Sequence, residues 1–210
     1  MTLFEQIKFA LSRPPRGQIK FIVTTYIDNT ISKRFYGKSL VGNFLQIIYT
    51  LMGQNDSTHF VASGAPWGNR SQAKDIGGTL HSTYNIVIFH TNANAGVVTQ
   101  GLICGSGTTT PAAADLVCET PIAHGTGAGQ LSYQDQTSTQ GCQIVSLSTS
   151  FILQRLFVNS SGGQVDVNEI CLYCLSSTWT FLLYRDVLSS ADEIPNGSTY
   201  RVTLEISVTT

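Results

Sequence analysis

Tyr200-Arg201-Val202-Thr203-Leu204-Glu205-Ile206-Ser207-Val208 decides how the rest of the chain is read. Val202, Leu204, Ile206 and Val208 fall on one side of a two-residue period, and Thr203, Glu205 and Ser207 on the other. An extended strand with that sequence has one apolar and one polar face, as in an antiparallel sheet covered on one side. Working backwards, strand-like runs occur at Thr178–Leu188, Val165–Leu175, Gln143–Val158, Gln130–Gln134, Val97–Cys104 and Tyr84–His90. The two long runs each read as one bent strand or as two. Explicit turns separate them at Asn92-Ala93-Asn94-Ala95-Gly96, Asn159-Ser160-Ser161-Gly162-Gly163 and Pro195-Asn196-Gly197-Ser198.

The first quarter of the chain reads differently. Phe4, Ile7 and Leu11 share one helical face over residues 2–12, Thr2 and Glu5 have capping-box spacing, and Pro14-Pro15 ends the element. Gly17 to Ile27 is rich in β-branched and aromatic residues, Asp28-Asn29 is a turn, and Ile31 to Tyr36 returns as a hairpin. From Lys38 to Met52 the apolar residues Leu40, Phe44, Ile47, Ile48 and Leu51 recur at three and four, and Gly53 follows at the stop. The spacing predicts an amphipathic helix over about 38–52. Residues 54–82, with Gly64-Ala65-Pro66-Trp67-Gly68 and Gly77-Gly78, read as a long loop or arm. The expected fold is mainly β (α+β): an antiparallel β-sandwich, for which jelly-roll-like winding is one option. It carries a short N-terminal helix, a basic hairpin and one amphipathic helix. We expect a single domain over 1–210, with a helix–hairpin–helix portion at 1–53, the arm at 54–82 and a β-rich core at 83–210.

Composition narrows the function. The 210 residues are 42% hydrophobic but only 12% Asp, Glu, Lys and Arg, with net charge −1. Soluble chains average about 25% charged residues. These values speak against disorder and against an overall basic nucleic-acid binder. Ser and Thr, about a fifth of the chain, replace the missing charge. A neutral surface is cheaper to bury against another subunit, because charges are the costly groups to desolvate. The start of the chain has charges where a signal peptide needs an apolar core, and no run has the roughly 18 apolar residues of a membrane span. Synthesis in a cytoplasm, with no membrane partner, is the expectation.

Chemistry-bearing motifs are few. Cys104, Cys118, Cys142, Cys171 and Cys174 are odd in number and irregularly spaced, so free thiols are expected rather than a disulfide framework. Cys171 and Cys174 have C-x-x-C spacing, but no second pair completes a zinc site, and on a strand they face opposite sides. His59, His81, His90 and His124 show no metal-binding pairing. Gly125-Thr126-Gly127-Ala128-Gly129 lacks the Lys of a phosphate loop, and Gly105-Ser106-Gly107 is not a nucleophile elbow. We expect no enzyme and no cofactor, short of a site assembled only in three dimensions from a histidine and a carboxylate. Residues 1–38 carry Lys8, Arg13, Arg16, Lys20, Lys33, Arg34 and Lys38 against Glu5 and Asp28, an excess of five positive charges. That basic end suits an acidic neighbouring subunit or nucleic acid.

Several blocks taken together carry a family resemblance. They are Gly37-Lys38-Ser39-Leu40-Val41-Gly42-Asn43-Phe44-Leu45, Gly101 to Pro111, Pro121-Ile122-Ala123-His124-Gly125 and Gly129 to Tyr133. Val167-Asn168-Glu169-Ile170-Cys171-Leu172-Tyr173, Leu183-Tyr184-Arg185-Asp186-Val187-Leu188 and Pro195 to Leu204 follow. Together they resemble small virion structural proteins of tailed viruses of prokaryotes. The resemblance implies a non-enzymatic component of the capsid, its decoration, the neck or the tail, made in a host cytoplasm and built into the virion in many copies. The expected partners are further copies and other virion proteins, with nucleic acid at the basic end. Phe4, Ile7, Leu11, Arg13, Arg16, Lys33, Arg34 and Trp67 are the expected assembly interface. The alternative is a receptor- or glycan-binding module that stacks ligands on Trp67, Trp179 or tyrosines.

Overall fold

The alternating run at the end of the chain is the middle strand of a five-stranded antiparallel sheet. The computed structural model describes residues 19–51, 72–82, 89–145, 148–176 and 178–209. Within them the chain is mainly β, with ten strands and one helix, and every strand pairing is antiparallel. The strands are β1 (Ile19–Ile27), β2 (Thr30–Tyr36), β3 (Gln72–Lys74), β4 (Leu80–Ser82) and β5 (Gly101–Gly105). They continue with β6 (Ser132–Val145), β7 (Ser148–Val158), β8 (Val165–Ser176), β9 (Trp179–Ile194) and β10 (Thr199–Thr209). The helix α1 spans Gly42–Leu51. The sheet orders are β2-β1-β10-β7-β6, β5-β8-β9 and the two-stranded β3-β4.

Register explains what the large sheet buries. Phe21 pairs with Ile206, Val23 with Leu204 and Ile27 with Tyr200, and Tyr200 pairs onward with Phe157. Each such row puts its side chains on one face. Phe21, Val23, Phe157, Tyr200, Val202 and Leu204 join Leu102, Val167, Ile170, Leu182 and Tyr184 of the smaller sheet in one apolar cluster. The hairpin β1–β2 turns where the sequence predicts, at Asp28 (φ 45°) and Asn29 (φ 67°). Two left-handed residues in a two-residue loop match the twist of the strands, and Asn and Asp tolerate that conformation best after glycine.

Several expected boundaries move, each for a visible reason. The helix begins at Gly42 rather than near Lys38, because residues 38–41 run extended beside β9: Leu40 bridges Tyr184, and Val41 N–H donates to Leu183 O at 3.3 Å. Of the residues expected as a loop arm at 54–82, the described part, 72–82, folds as the hairpin β3–β4. Asp75 Oδ1 ties its turn by accepting from Gly77 N–H and Thr79 N–H, each at 2.9 Å. The run Gln143–Val158 spans the end of one strand and the whole of the next. Ser146 and Leu147 separate them without the Gly, Pro or Asn that marks most turns. The run Val97–Cys104 is strand only from Gly101, because backbone carbonyls before it turn inward. The expected N-terminal helix and most of Tyr84–His90 lie outside the described residues.

Those inward carbonyls meet Arg155. It sits on the core face of β7, opposite Val202, and is 0% exposed. Its Nε donates to Gln134 O at 2.9 Å, Nη1 to Gln100 O and Leu102 O at 3.1 and 3.0 Å, and Nη2 to Asn94 O and Val97 O at 3.0 and 2.7 Å. All five guanidinium N–H groups are thus used, and the group lies over the Tyr133 ring. Burial pushes its pKa down, so a ring of carbonyl dipoles does the work a carboxylate would otherwise do. We predict that Arg155→Met costs about 3–5 kcal/mol of unfolding free energy in a urea titration, since it leaves buried carbonyls without donors. Arg155→Lys, with three donors for five acceptors, falls between the two.

Candidate functional site

The densest set of ionisable groups lies between β8, β9 and the loop 106–121. Glu169 of β8 and Arg185 of β9 are both buried, and Arg185 Nε donates to Glu169 Oε2 at 2.7 Å. Arg185 also pairs with Asp115 at 2.8 Å and Glu119 at 3.0 Å, and donates to Thr109 O at 3.1 Å. Glu169 accepts from Gly107 N–H at 3.2 Å, Glu119 N–H at 3.2 Å and Thr120 N–H at 2.8 Å. A Cβ on Gly105 would come within 2.4 Å of Glu169, and one on Gly107 within 2.4 Å of Glu119. The glycines that failed as a nucleophile elbow therefore let the loop approach the ion pair.

Two thiols adjoin this cluster. Cys118 Sγ, Cys171 Sγ and a Glu169 oxygen lie within 4.8 Å of one another. Two sulfurs and a carboxylate suit zinc in kind, but a structural zinc takes four ligands. The four N–H donors on Glu169 already fill its acceptor positions. Burial raises both thiols, Cys171 well above its ordinary value, which disfavours the thiolate a metal needs. The arrangement is chemically a brace that fastens the loop to the sheet. Cys171 and Cys174 belong to separate apolar clusters, in line with their opposed positions on the strand.

One histidine does meet a carboxylate. His81 Nε2 lies 2.7 Å from Asp75 Oδ2, and its ring stacks on Trp179 at 4.1 Å. The Asp75 carboxyl is held below its ordinary value: burial would raise it, and the hydrogen bond to His81 and those from Thr79 and Gly77 outweigh that. The pair closes the β3–β4 turn over β9, where Ile76 N–H donates to Thr180 O at 3.0 Å. His81 covers one face of Trp179. His90 contacts Gln100 at 2.7 Å, and His124 Nδ1 accepts from Tyr133 N–H at 3.1 Å.

Of the expected interface residues, Phe4, Ile7, Leu11, Arg13, Arg16 and Trp67 lie outside the described residues. Lys33 and Arg34 are neighbours on β2 and so point to opposite faces. Lys33 forms an ion pair with the buried Asp192, which also accepts from Ser32 at 2.5 Å and Tyr200 at 2.7 Å. That lysine is spent inside the fold. A different surface emerges, which the sequence reading missed. The inward row Ile19–Val208–Thr149–Ile144 crosses β1, β10, β7 and β6 at one end of the sheet. Ile19 is 54% and Ile144 80% exposed. The signal was present: the alternation of β10 carries on to Val208 without a change of character.

Comparison of the chain with protein-family models, with curated proteins and with solved structures finds no match.

Two measurements check this description. Cys142 is exposed, whereas Cys104, Cys118, Cys171 and Cys174 are buried, and burial pushes the Cys174 thiol up to about 12. A disulfide reagent should titrate one thiol quickly in the native protein and the other four only on unfolding. Burial alone would raise the Asp192 carboxyl, but hydrogen bonds from Lys33, Ser32 and Tyr200 hold it below its ordinary value. A depressed folded pKa adds stability above the unfolded carboxyl value of about 3.9, and that stability is lost as pH falls through the folded value. Asp192→Asn should therefore be less stable than wild type near neutral pH. Its stability should also depend less on pH below about 4, as read by urea midpoints.

Proposed function

We propose that this chain is a non-enzymatic structural component of a viral particle that assembles through its own surface. The observation that carries the reading is the row at the end of the five-stranded sheet, where Ile19 and Ile144 are exposed on either side of the half-buried Val208 and the exposed Thr149, on a molecule with few charges. Arg155, Glu169, Arg185, Asp186 and Asp192 are all buried, so the 12% charged content overstates the surface charge. Ile19 and Ile144 stand at the two ends of that row, on opposite edges of four neighbouring strands. Exposed apolar groups gathered at one end of a sheet favour an interaction surface there. Leu45, 66% exposed, and Ile48 add apolar surface on α1. The low charge lowers the desolvation cost of burying such a surface against a like one.

In this reading the two larger sheets are the halves of a jelly-roll-like β-sandwich. The apolar cluster to which both contribute supports that. The Arg185 brace gives the long loop 106–121 a fixed shape, as a building block fitted among copies requires.

Light scattering together with negative-stain microscopy on the purified chain tests the proposal. The expected result is a concentration-dependent discrete multimer, ring or tube. A 22.7 kDa monomer at every concentration would overturn it.

A further inference from the structure

Four strand edges bound the two larger sheets, and three of them are guarded. On β2, Lys33 and Ser32 are tied inward to the buried Asp192 and Arg34 is exposed; an inward-pointing charge and an exposed one are both protections of an edge. β9 is flanked by residues 38–41, through the Leu40–Tyr184 bridge and the Arg185 N–H donation to Ser39 O at 3.3 Å. On β5, Leu102 N–H donates to Gln136 Oε1 at 2.6 Å, Leu102 O accepts from Arg155 and Gly105 bridges Pro121. The fourth edge is β6, 14 residues long, which among the described residues has a strand partner, β7, on one side only. Residues 93–96 cover its first part, where Gly96 N–H donates to Tyr133 O at 3.0 Å and Gln136 N–H to Ala93 O at 2.8 Å, so the open edge begins at Thr137.

The sequence of that edge is unusual. From Gln136 to Gln154, between Asp135 and Arg155, no residue is charged and none is proline. Thr137, Gly141, Cys142, Gln143 and Ile144 are exposed. We propose that β6 is an assembly edge, pairing antiparallel with the β6 of a second copy across a two-fold axis and so joining two five-stranded sheets. This rests on the self-assembly reading above and narrows it to one strand.

A second copy is the occupant because of charge. On a two-fold axis each residue of a short segment faces another residue of the same segment, so a charged edge sets like charges against each other, which destabilises the pair. An edge without charge avoids that conflict, and the N–H and C=O groups on the outer side of a strand match those of a second copy in antiparallel order. Register shifts against β7 at Tyr133/Gln136, Ser138/Gln140 and Gln140/Gln143 bend the strand. Bulges of this kind limit pairing to a short run. Side chains compensate: Ile144 on β6 is 80% exposed, so pairing near Gln143 brings the Ile144 side chains of two copies together.

The test uses two double variants at exposed positions, Thr137→Lys with Gln143→Lys, and Thr137→Glu with Gln143→Glu. Each alone should weaken association by about tenfold or more, since each pairing sets like charges across the axis. An equimolar mixture of the two should restore it. Thermal unfolding of each variant within a few degrees of wild type establishes that the fold is kept. A second readout needs no substitution at the edge. A nitroxide on Cys142, the exposed thiol, should show dipolar broadening that vanishes on dilution with unlabelled protein. If wild type assembles and both charge variants assemble equally well, the edge proposal is wrong and self-assembly stands. A mixture that stays apart, or labels that show no mutual broadening in an assembled sample, overturns it as well. A wild-type chain that is monomeric throughout overturns both readings.

Discussion

A single buried cation fixes how the two sheets meet. Arg155 projects from β7 of the larger sheet, and its five N–H groups end on carbonyls of residues 94–102 and on Gln134. Leaving water costs a charge several kcal/mol, recovered only if every donor finds an acceptor in good geometry. The backbone before β5 cannot then be ordinary strand, since its carbonyls are needed elsewhere. Gly101, at φ 77° and with Gln136 Oε1 2.5 Å from where a Cβ would stand, is the hinge that lets the chain change from loop to strand there. Gln136 completes the corner by donating to Thr91 O at 2.6 Å.

The second buried cation, Arg185, works by the opposite chemistry. It gathers three carboxylates, where Arg155 gathers carbonyls only. Both fasten irregular chain to a regular sheet, and Asp192 does the same for β2 through Lys33 and Ser32. Several of the few charges of this sequence are thus structural. A chain that uses part of a small set of charges as internal fasteners has fewer left for an exterior rich in hydroxyls and amides.

Much of this architecture was legible in the sequence. The alternation of β10, the Asp28-Asn29 turn and the three- and four-residue spacing of α1 each depend on local geometry, which the sequence records directly. Arg155 was also legible in principle: Phe151, Leu153, Arg155 and Phe157 alternate together, which places the arginine on the apolar face. What hid it is the habit of reading a charge as solvent-facing. The true length of β9 was obscured because register shifts at Val167/Glu169 and Leu172/Tyr173 change the phase between β8 and β9. The Glu169–Arg185 brace draws its members from positions 109 to 185, and contacts at such separation leave no local pattern. The exposed row Ile19 to Ile144 was hidden for a related reason, since exposure depends on where the opposing sheet ends.

Strand order carries a consequence for synthesis. β10 lies between β1 and β7, so the earliest and latest strands of the described set are direct neighbours, with Ile19 beside Val208. The hairpin β1–β2 and the pair β6–β7 can form as they emerge from a ribosome, yet neither can join the other until β10 has followed. Pairings this distant in sequence are slow to form, because the intervening loop must be closed first. Until then both halves expose the apolar faces that the finished sheet turns inward. Completion of the sheet thus acts as a timing device: the finished molecular surface comes into being only after translation has passed its tenth strand.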